Sequence, residues 1–341
     1  MAKFEIPVAP PGLPLPERDY PITQGENLML AFNHQKPMWM PNMYADSQLV
    51  TCKTSRDMSP TKQAAGFDWF GTRYEYSAAV NCNMPVGGVL NDITEWRDKV
   101  KWPDMKALDW SHDADDFVRD ENLCCYSRLS NGIFERIHAF EGFQQALMDM
   151  MIEPDECRDF FLRLADYKIE LFEHYADCFP LDFVVAADDY GTARAPFFST
   201  AMYEDLLLEP TRRYVKAVHD RGIKFFAHCC GVVDVFVPYF VDMGVDGIEI
   251  QQNLNDLPSI MKKYGDKLLI EVRPDTAYVN EACRTKEELI QAAHEVVDTF
   301  GAHVNPGPGG TCCVFGGEDS NMQFVSSEIV KYSMEKYAAI K

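Results

Sequence analysis

From about residue 154 onward, the spacing of apolar residues along the chain alternates between two patterns. Short apolar runs rich in β-branched and aromatic side chains predict strands, and longer segments with apolar residues three or four positions apart predict helices. The predicted strands cover residues 181–186, 223–227, 247–250, 267–272 and 303–305. The predicted helices cover residues 154–178, 203–221, 232–243, 257–264, 286–300 and 321–337.

Glycine follows several of these predicted helices, at Gly222, Gly244, Gly265 and Gly301. Glycine is favoured there because it readily adopts the conformation that ends a helix. Strands that alternate with helices in this way are typical of parallel βα units. The pattern therefore predicts an α/β fold, a TIM (β/α)8 barrel, with its first strand over residues 37–41 and a short helix over 25–34.

The amino-terminal part of the chain has a different pattern. Residues 1–22 contain six prolines and have no helical period, which predicts an extended N-terminal arm. Such an arm is suited to lie on a partner subunit, as in a homodimer. Residues 45–130 are irregular in pattern and are expected to decorate one mouth of the barrel. We expect residues 23–341 to form a single TIM-barrel domain.

Composition narrows the classes of function. Hydrophobic residues make up 47% and charged residues 25% of the 341 residues, as in soluble globular proteins. The net charge of −21 argues against nucleic acid and anionic lipid as partners. A secretory signal and an apolar run of about 18 residues are both absent from the sequence, so we expect no membrane span. The odd number of cysteines, 11, favours free thiols in a reducing cytoplasm.

Histidine and cysteine side chains follow the predicted strand 223–227 directly. His228 and Cys230 are two positions apart, so an extended backbone directs them to one side and Cys229 to the other. In a parallel barrel this end of the strand is where chemistry is done. An imidazole and a thiolate are two ligands of an open zinc site, if a third arrives from elsewhere. The alternative is a buried histidine beside two small apolar thiols.

A second pair of thiols, Cys312 and Cys313, lies in a glycine-rich loop near the carboxyl end of the chain. Either thiol can supply the distal metal ligand, and the spacing does not choose between them.

Two carboxylates, Asp188 and Asp189, follow the predicted strand 181–186. At least one should face the mouth of the barrel. There it can hold a substrate cation, orient a ligand histidine or act as a catalytic acid or base. Alternatively, an aspartate at the end of a strand caps the next helix or turn.

Side chains that can bind a substrate lie near other strand ends. Met40, Met43 and Tyr44 belong to an apolar, sulfur-rich stretch, part of which packs in the core and part of which can line a pocket for an aromatic ring. Tyr190 follows the two aspartates, and Glu249 is close to the end of the strand 247–250. We expect these five residues to bind the substrate.

Three segments resemble the uroporphyrinogen decarboxylase superfamily. They are Asp188-Asp-Tyr-Gly-Thr192, Arg221-Gly-Ile-Lys-Phe-Phe-Ala-His-Cys-Cys-Gly231 and Met243-Gly-Val-Asp-Gly-Ile248. The resemblance is strongest over residues 130–305 and implies a TIM barrel. One branch of the superfamily decarboxylates uroporphyrinogen, and the other contains zinc methyltransferases that work with corrinoid proteins.

The sequence favours the methyltransferase branch. The decarboxylase branch carries an arginine-rich motif at the first strand for the carboxylates of its substrate, where this chain has Pro41-Asn-Met-Tyr44. The methyltransferase branch carries His-x-Cys after a strand, as at His228 and Cys230, and a further cysteine in the last βα loop. The segments Asp68-Trp-Phe-Gly71 and Trp102-Pro-Asp104 are also similar to that branch.

The resemblance implies an enzyme with a zinc ion that moves a methyl group from a small methylated substrate to the Co(I) corrinoid of a partner protein. The apolar first strand suggests an aromatic methyl ether as the substrate. Methyl transfer from the corrinoid to a thiol is an alternative, and a decarboxylase is a less favoured one. A barrel that only stores or senses zinc or corrinoid is a hypothesis of another class.

Overall fold

The computed structural model describes residues 20–57, 66–78, 82–281, 284–301, 310–312 and 321–339. The strands are β1 (Ser47–Leu49), β2 (Gly66–Phe67), β3 (Arg73–Ser77), β4 (Cys82–Gly87), β5 (Cys124–Leu129), β6 (Phe183–Ala187), β7 (Lys224–Cys229), β8 (Gly247–Ile250), β9 (Leu269–Val272) and β10 (Gly310–Cys312). The helices are α1 (Gln24–Phe32), α2 (Trp96–Lys99), α3 (Ile133–Glu141), α4 (Phe143–Ile152), α5 (Pro154–Cys178), α6 (Thr200–Leu206), α7 (Leu208–Asp220), α8 (Val237–Met243), α9 (Leu257–Tyr264), α10 (Thr276–Val279), α11 (Lys286–Phe300) and α12 (Asn321–Ala339).

A parallel sheet organises the fold. Its strands follow one another in chain order, β1-β5-β6-β7-β8-β9-β10, and the pairs β1–β5, β6–β7, β8–β9 and β9–β10 are parallel. Parallel neighbours need a crossover, which helices supply between most of these strands. The predicted fold class, an α/β protein of the TIM-barrel type, is confirmed.

Several elements have the bounds that the sequence predicts. They are α5, α9, α11 and β8. The first turn of α5 places Pro154 where no backbone N–H is needed and Asp155 where the helix dipole favours an acid. At α11, Thr285 and Glu288 form a capping box, which fixes the first residue of the helix.

The predicted first strand at residues 37–41 is wrong. This stretch forms no strand, and the first strand of the parallel sheet is β1, six residues later. Pro37 and Pro41 cannot donate to a sheet, and the groups between them bond to side chains instead. The backbone of Met38 donates to Asn27 (2.7 Å), and Asn27 Nδ2 donates to the carbonyl of Trp39 (3.0 Å).

Other bounds differ from the prediction for local reasons. The predicted helix 203–221 is two helices, α6 and α7, which meet at Leu207, three residues before Pro210. Residues 45–130, expected to be irregular, contain the antiparallel sheet β2-β3-β4. The predicted strand 303–305 lies outside the described residues, as does all but the end of the predicted arm 1–22.

The chain divides into two compact units. Among the described residues, unit 1 contains 50–57, 66–78, 82–117 and 127–239, and unit 2 contains 20–49, 118–126, 240–281, 284–301, 310–312 and 321–339. In unit 1, β6 and β7 pair and α5 packs against α7. In unit 2, β8, β9 and β10 pair in sequence and α11 packs against α12.

A buried network of charges lies in unit 1. Arg136 of α3 binds Asp57 (Nη2–Oδ1, 2.9 Å) and Asp68, and Lys168 of α5 binds Asp57 (Nζ–Oδ2, 2.6 Å). All four side chains are almost completely buried. Burial by itself raises the pKa of Asp57, but Lys168 and Arg136 outweigh it and hold that pKa below its usual value. Two acids and two bases thus balance one another inside the protein.

The same network fixes the turn that precedes α3. Lys168 Nζ donates to the carbonyl of Ser130 (2.9 Å), and Asn131 Nδ2 donates to the carbonyl of Asp57 (2.8 Å). The position of this turn therefore depends on buried ion pairs rather than on apolar packing alone.

Within the described ranges, no helix has both the length and the apolar character needed to cross a membrane.

Removing one charge of the buried network should lower the stability of the protein strongly. We expect Asp57→Asn to lower the free energy of unfolding by about 3–5 kcal/mol, because Arg136 and Lys168 would stay buried with too little negative charge. Urea denaturation measures the change. The control is Asp116→Asn, which removes an exposed pair with Lys53 (57% and 85% exposed) and should leave the free energy of unfolding nearly unchanged. Equal costs for the two variants would contradict this account of the network.

The carboxyl of Glu141, at the end of α3, should make stability depend on pH. Burial, followed by the nearby Asp149, raises the pKa of Glu141 to about 9. A raised pKa in the folded state contributes stability that is complete below the usual pKa of glutamate and is lost as the pH rises towards 9. We therefore expect Glu141→Gln to raise the melting temperature at pH 9 more than at pH 5. Exposed Glu121→Gln is the control, and a difference independent of pH would refute the expectation.

Candidate metal centre

The ends of β6 and β7 lie side by side. Their register pairs Phe183 with Lys224 and Ala187 with His228, and the backbone of Asp188 donates to the carbonyl of His228 (3.0 Å). Residues that follow β6 therefore meet residues that follow β7 at the carboxyl edge of the sheet, where parallel α/β proteins place their ligands.

Two glycines let the loops after these strands touch. A Cβ on Gly231 would lie 2.1 Å from the carbonyl carbon of Gly191, and Gly231 has φ +96°, which side chains disfavour. Beside them, Val232 donates its N–H to the carbonyl of Thr192 (2.9 Å). The sequence thus joins the two loops backbone to backbone, and this contact holds the strand ends in register.

Three ligating side chains converge at this edge. Atoms of Asp189, His228 and Cys230 all lie within 4.8 Å of one another. Cys230 Sγ is 3.4 Å from His228 Nε2, which is 3.6 Å from Asp189 Oδ1. Asp189 Oδ1 also accepts the backbone N–H of Cys230 (2.8 Å), so its carboxylate links the two strand ends. The predicted same-side placement of His228 and Cys230 agrees with this geometry.

The donor set fits a zinc ion. Imidazole nitrogen, thiolate sulfur and carboxylate oxygen are the ligands that zinc takes, and atoms bound to one ion stay within roughly twice the bond length, about 4.6 Å. All three side chains are half-buried, so the group is reachable from solvent on one side. A thiolate and a carboxylate together match the charge of a divalent cation.

Asp188, the neighbour of Asp189, binds the beginning of α3 instead of the candidate ligands. Its carboxylate accepts the backbone N–H groups of Phe134 (3.0 Å) and Glu135 (2.8 Å), at the beginning of α3, and the hydroxyl of Tyr190 (3.0 Å). The residue before α3 is Gly132, where a Cβ would lie 2.2 Å from Asp188. Asp188 therefore caps a helix that has no capping side chain of its own. This is the capping alternative that the sequence left open.

Burial raises the pKa values of two carboxyl groups near the centre. It raises the pKa of Asp188 to about 7, against the lowering effect of its backbone hydrogen bonds. It also raises the pKa of Glu135 to about 8, with Asp189 and Asp188 adding to the shift. Glu135 is a residue that the sequence analysis missed. Its carboxylate accepts the backbone N–H of Gly132 (3.2 Å), and a glutamate three residues after the residue that precedes a helix is the sequence signal that points to it.

The other cysteines near the predicted metal site are Cys229, Cys312 and Cys313. Cys229 is buried, whereas His228 and Cys230 are half-buried, as strand alternation predicts. Cys312 ends β10, but its side chain lies outside the described residues, as does all of Cys313. The choice between these two thiols stays a prediction.

The predicted substrate residues are placed in both units. In unit 2, Met40 and Met43 are fully buried, and half-buried Tyr44 donates its hydroxyl to Glu249 Oε2 (2.6 Å). In unit 1, Tyr190 is buried in an aromatic cluster with Phe198, Tyr203 and Phe236. Their role in substrate binding stays a prediction.

Comparison with protein families gives a match to part of the chain. Residues 138–307 match the family model described as uroporphyrinogen decarboxylase (URO-D). This region is therefore similar to the uroporphyrinogen decarboxylase family. It contains α5, the strands β6 to β9 and all three residues of the candidate metal centre. A search of curated proteins gave no match.

A solved structure has a similar fold. A methyltransferase from Methanosarcina mazei is similar to this chain with a TM-score of 0.64 and 10% identity, over 93% of this chain and 100% of that one. Two sugar phosphate isomerase/epimerase structures from Parabacteroides distasonis have TM-scores of 0.32 and 0.31 and identities of 9% and 14%. They cover 62% and 74% of this chain, and 76% and 84% of their own.

Adjacent aspartates should respond differently to mutation. Asp188→Ala leaves two N–H groups of α3 and the Tyr190 hydroxyl without their acceptor, so we expect a loss of at least about 2 kcal/mol in the free energy of unfolding. Asp189→Ala removes one accepted backbone hydrogen bond at a half-buried position and should cost less than about 1.5 kcal/mol. Urea denaturation of both variants is the measurement. If Asp189→Ala proved the more costly, the assignment of the helix cap to Asp188 would be wrong.

Proposed function

We propose that this protein is a methyltransferase that moves a methyl group from a small methylated substrate to the Co(I) corrinoid of a partner protein. The observation that carries the proposal is the group Asp189, His228 and Cys230 at the ends of two neighbouring parallel strands. The superfamily match and the fold that the chain shares with a protein named a methyltransferase support it.

The residues that would hold zinc are His228, Cys230 and Asp189. Cys312 or Cys313 is proposed as a further ligand, in keeping with the sequence pattern of the branch. Zinc bound here supplies a Lewis acid that makes the oxygen of a methyl ether a better leaving group. With zinc bound, Cys230 would contribute a thiolate sulfur and His228 an imidazole nitrogen. Asp189 also holds the backbone of Cys230 in place, which keeps the ligands oriented before substrate binds.

In this methyl transfer, the bonds and electrons balance without an additional oxidant or reductant. The C–O bond of the ether breaks, and its electron pair leaves with the oxygen as a phenolate. The carbon forms a bond to cobalt with the two electrons of Co(I), which is thereby oxidised to Co(III). The protein has to bind the ether, hold its oxygen at the metal and exclude water.

Among the predicted substrate residues, Tyr44 is half-buried, whereas Met40, Met43, Tyr190 and Glu249 are buried. Met40 and Met43 are fully buried, whereas the Tyr44 ring is half-buried and its hydroxyl bonds to Glu249. We propose that the Tyr44 ring packs on an aromatic substrate and that Met40 and Met43 support it from the core. The preference for an aromatic methyl ether rests on this stretch of the chain.

Zinc analysis and methyl transfer test the proposal together. The purified protein would be incubated with cob(I)alamin, kept reduced by Ti(III) citrate, and with 3-methoxybenzoate, while absorbance follows the formation of methylcobalamin. We expect His228→Ala and Cys230→Ala each to lose one zinc per chain relative to the wild type. Their transfer rates should fall by more than about 100-fold, since even the outer partners of metal ligands are typically worth 10–100-fold. Cys229→Ser, at the neighbouring buried thiol, is the control and should keep both properties.

Three outcomes would go against this function. Zinc contents equal to the wild type in both ligand variants would remove the metal from the proposed centre. Transfer from methylcobalamin to 2-mercaptoethanol, with none from the ether, would select the thiol alternative. A protein that binds zinc and transfers methyl in neither direction would favour storage or sensing.

A further inference from the structure

Unit 1 contains a second group of metal-ligating side chains, which shares no residue with the first. Ligand atoms of Cys52, Asp113 and Cys178 all lie within 4.8 Å of one another. We call this group the Cys52 cluster. Its members come from three separate segments: a loop after β1, a turn before β5 and the last residue of α5.

Burial separates this group from ordinary surface residues. Cys52 is 3% exposed and Asp113 is 4% exposed, whereas Cys178 is half-buried. Both cysteines are free thiols. The cluster therefore has a closed side, formed by Cys52 and Asp113, and an accessible side at Cys178 through which an ion can enter.

The carboxylate of Asp113 points to a cation. Its Oδ1 accepts the backbone N–H of Thr54 (2.8 Å), but its Oδ2 is buried and makes no hydrogen bond among the described residues. Leaving a buried carboxylate oxygen without a donor is costly, and native proteins rarely do so. A metal ion between this oxygen and the two thiols would satisfy it.

We propose that the Cys52 cluster is a second metal site, with a chemical preference for zinc. Two thiolates and a carboxylate are soft and borderline donors that suit zinc and cobalt(II), whereas calcium and magnesium take oxygen ligands. All three ligand atoms lie within 4.8 Å of one another, a bound comparable to the separation of about 4.6 Å that two zinc–sulfur bonds allow. The two thiolates and the carboxylate would carry three negative charges, one more than the thiolate and carboxylate of the first centre. The additional negative charge favours retention of a divalent cation.

The surroundings indicate a structural role. Cys178 Sγ lies 3.8 Å from the carbonyl oxygen of Trp110, and the Trp110 ring stacks on His174 with centroids 4.4 Å apart. His174 is one turn before Cys178 on α5. A bound ion would tie the end of α5, five residues before β6, to segments far away in the sequence. It would therefore stiffen the connection that leads to Asp188 and Asp189.

Metal analysis in a background that lacks the first centre tests the proposal. The double variant His228→Ala Cys230→Ala removes two ligands of that centre. We expect it to retain about one zinc per chain after dialysis against ZnCl2, and adding Cys52→Ser or Cys178→Ser should abolish this zinc. The matched control is Cys157→Ser, a buried thiol on α5 outside the cluster, which should leave the zinc content unchanged. Cobalt(II) in place of zinc should give a thiolate-to-cobalt absorption band that follows the same pattern.

Asp113→Asn keeps both thiols and nearly the same shape, so it tests the site in a protein that folds. We expect its zinc affinity to fall at least 10-fold, with thermal unfolding in EDTA unchanged within a few degrees.

In the double-variant background, ZnCl2 should raise the melting temperature, and Cys52→Ser should remove that rise. A double variant that is folded and free of zinc would overturn the proposal. A Cys52–Cys178 disulfide in protein purified without oxygen would do the same. Neither result depends on methyl transfer, so each is separable from the failure of the proposed function.

Discussion

The buried ion pairs of Asp57 determine how unit 1 is assembled. A carboxylate so fully buried is tolerated only because Lys168 and Arg136 hold it from two helices, α5 and α3. Lys168 also donates to the backbone carbonyl of Ser130, and the Asn131 side chain donates to the carbonyl of Asp57, immediately before Gly132. The beginning of α3 is thus placed where Asp188 can cap it, and the end of β6 is fixed in turn. The position of the candidate metal centre therefore depends on ion pairs that share no residue with it.

Strand alternation separates the roles of two adjacent acids. Asp188 and Asp189 follow the same strand, and successive side chains point in opposite directions. One carboxylate turns towards the backbone of α3, and the other turns towards His228 and Cys230. Both are half-buried, but the first binds the backbone of α3 and stabilises the fold, whereas the second lies beside the candidate ligands. A single change of register at the end of β6 would exchange these roles and disrupt both.

Burial also decides which thiols can take part in chemistry. Cys229 is almost fully buried, and burial raises the pKa of its thiol far above the usual value. Cys230, one residue later, lies half-buried beside an imidazole. Cys52, Asp113 and Cys178 combine burial with an accessible side, as the first centre does. In both places a carboxylate and a thiolate that are far apart in the sequence are brought together by the positions of strand and helix ends.

The sequence by itself determined the elements with strong local signals. Proline and acids at the start of α5, the capping box of α11 and the apolar run of β8 fix these elements within a few residues. The two-residue spacing of His228 and Cys230 determined that they share a side. Only the tertiary structure decided that residues 37–41 bond to side chains of other elements, that Asp189 rather than Asp188 faces His228, and that Cys52 meets Cys178. Local periodicity describes neighbours in the chain, whereas these contacts join segments whose approach depends on the packing of the whole unit.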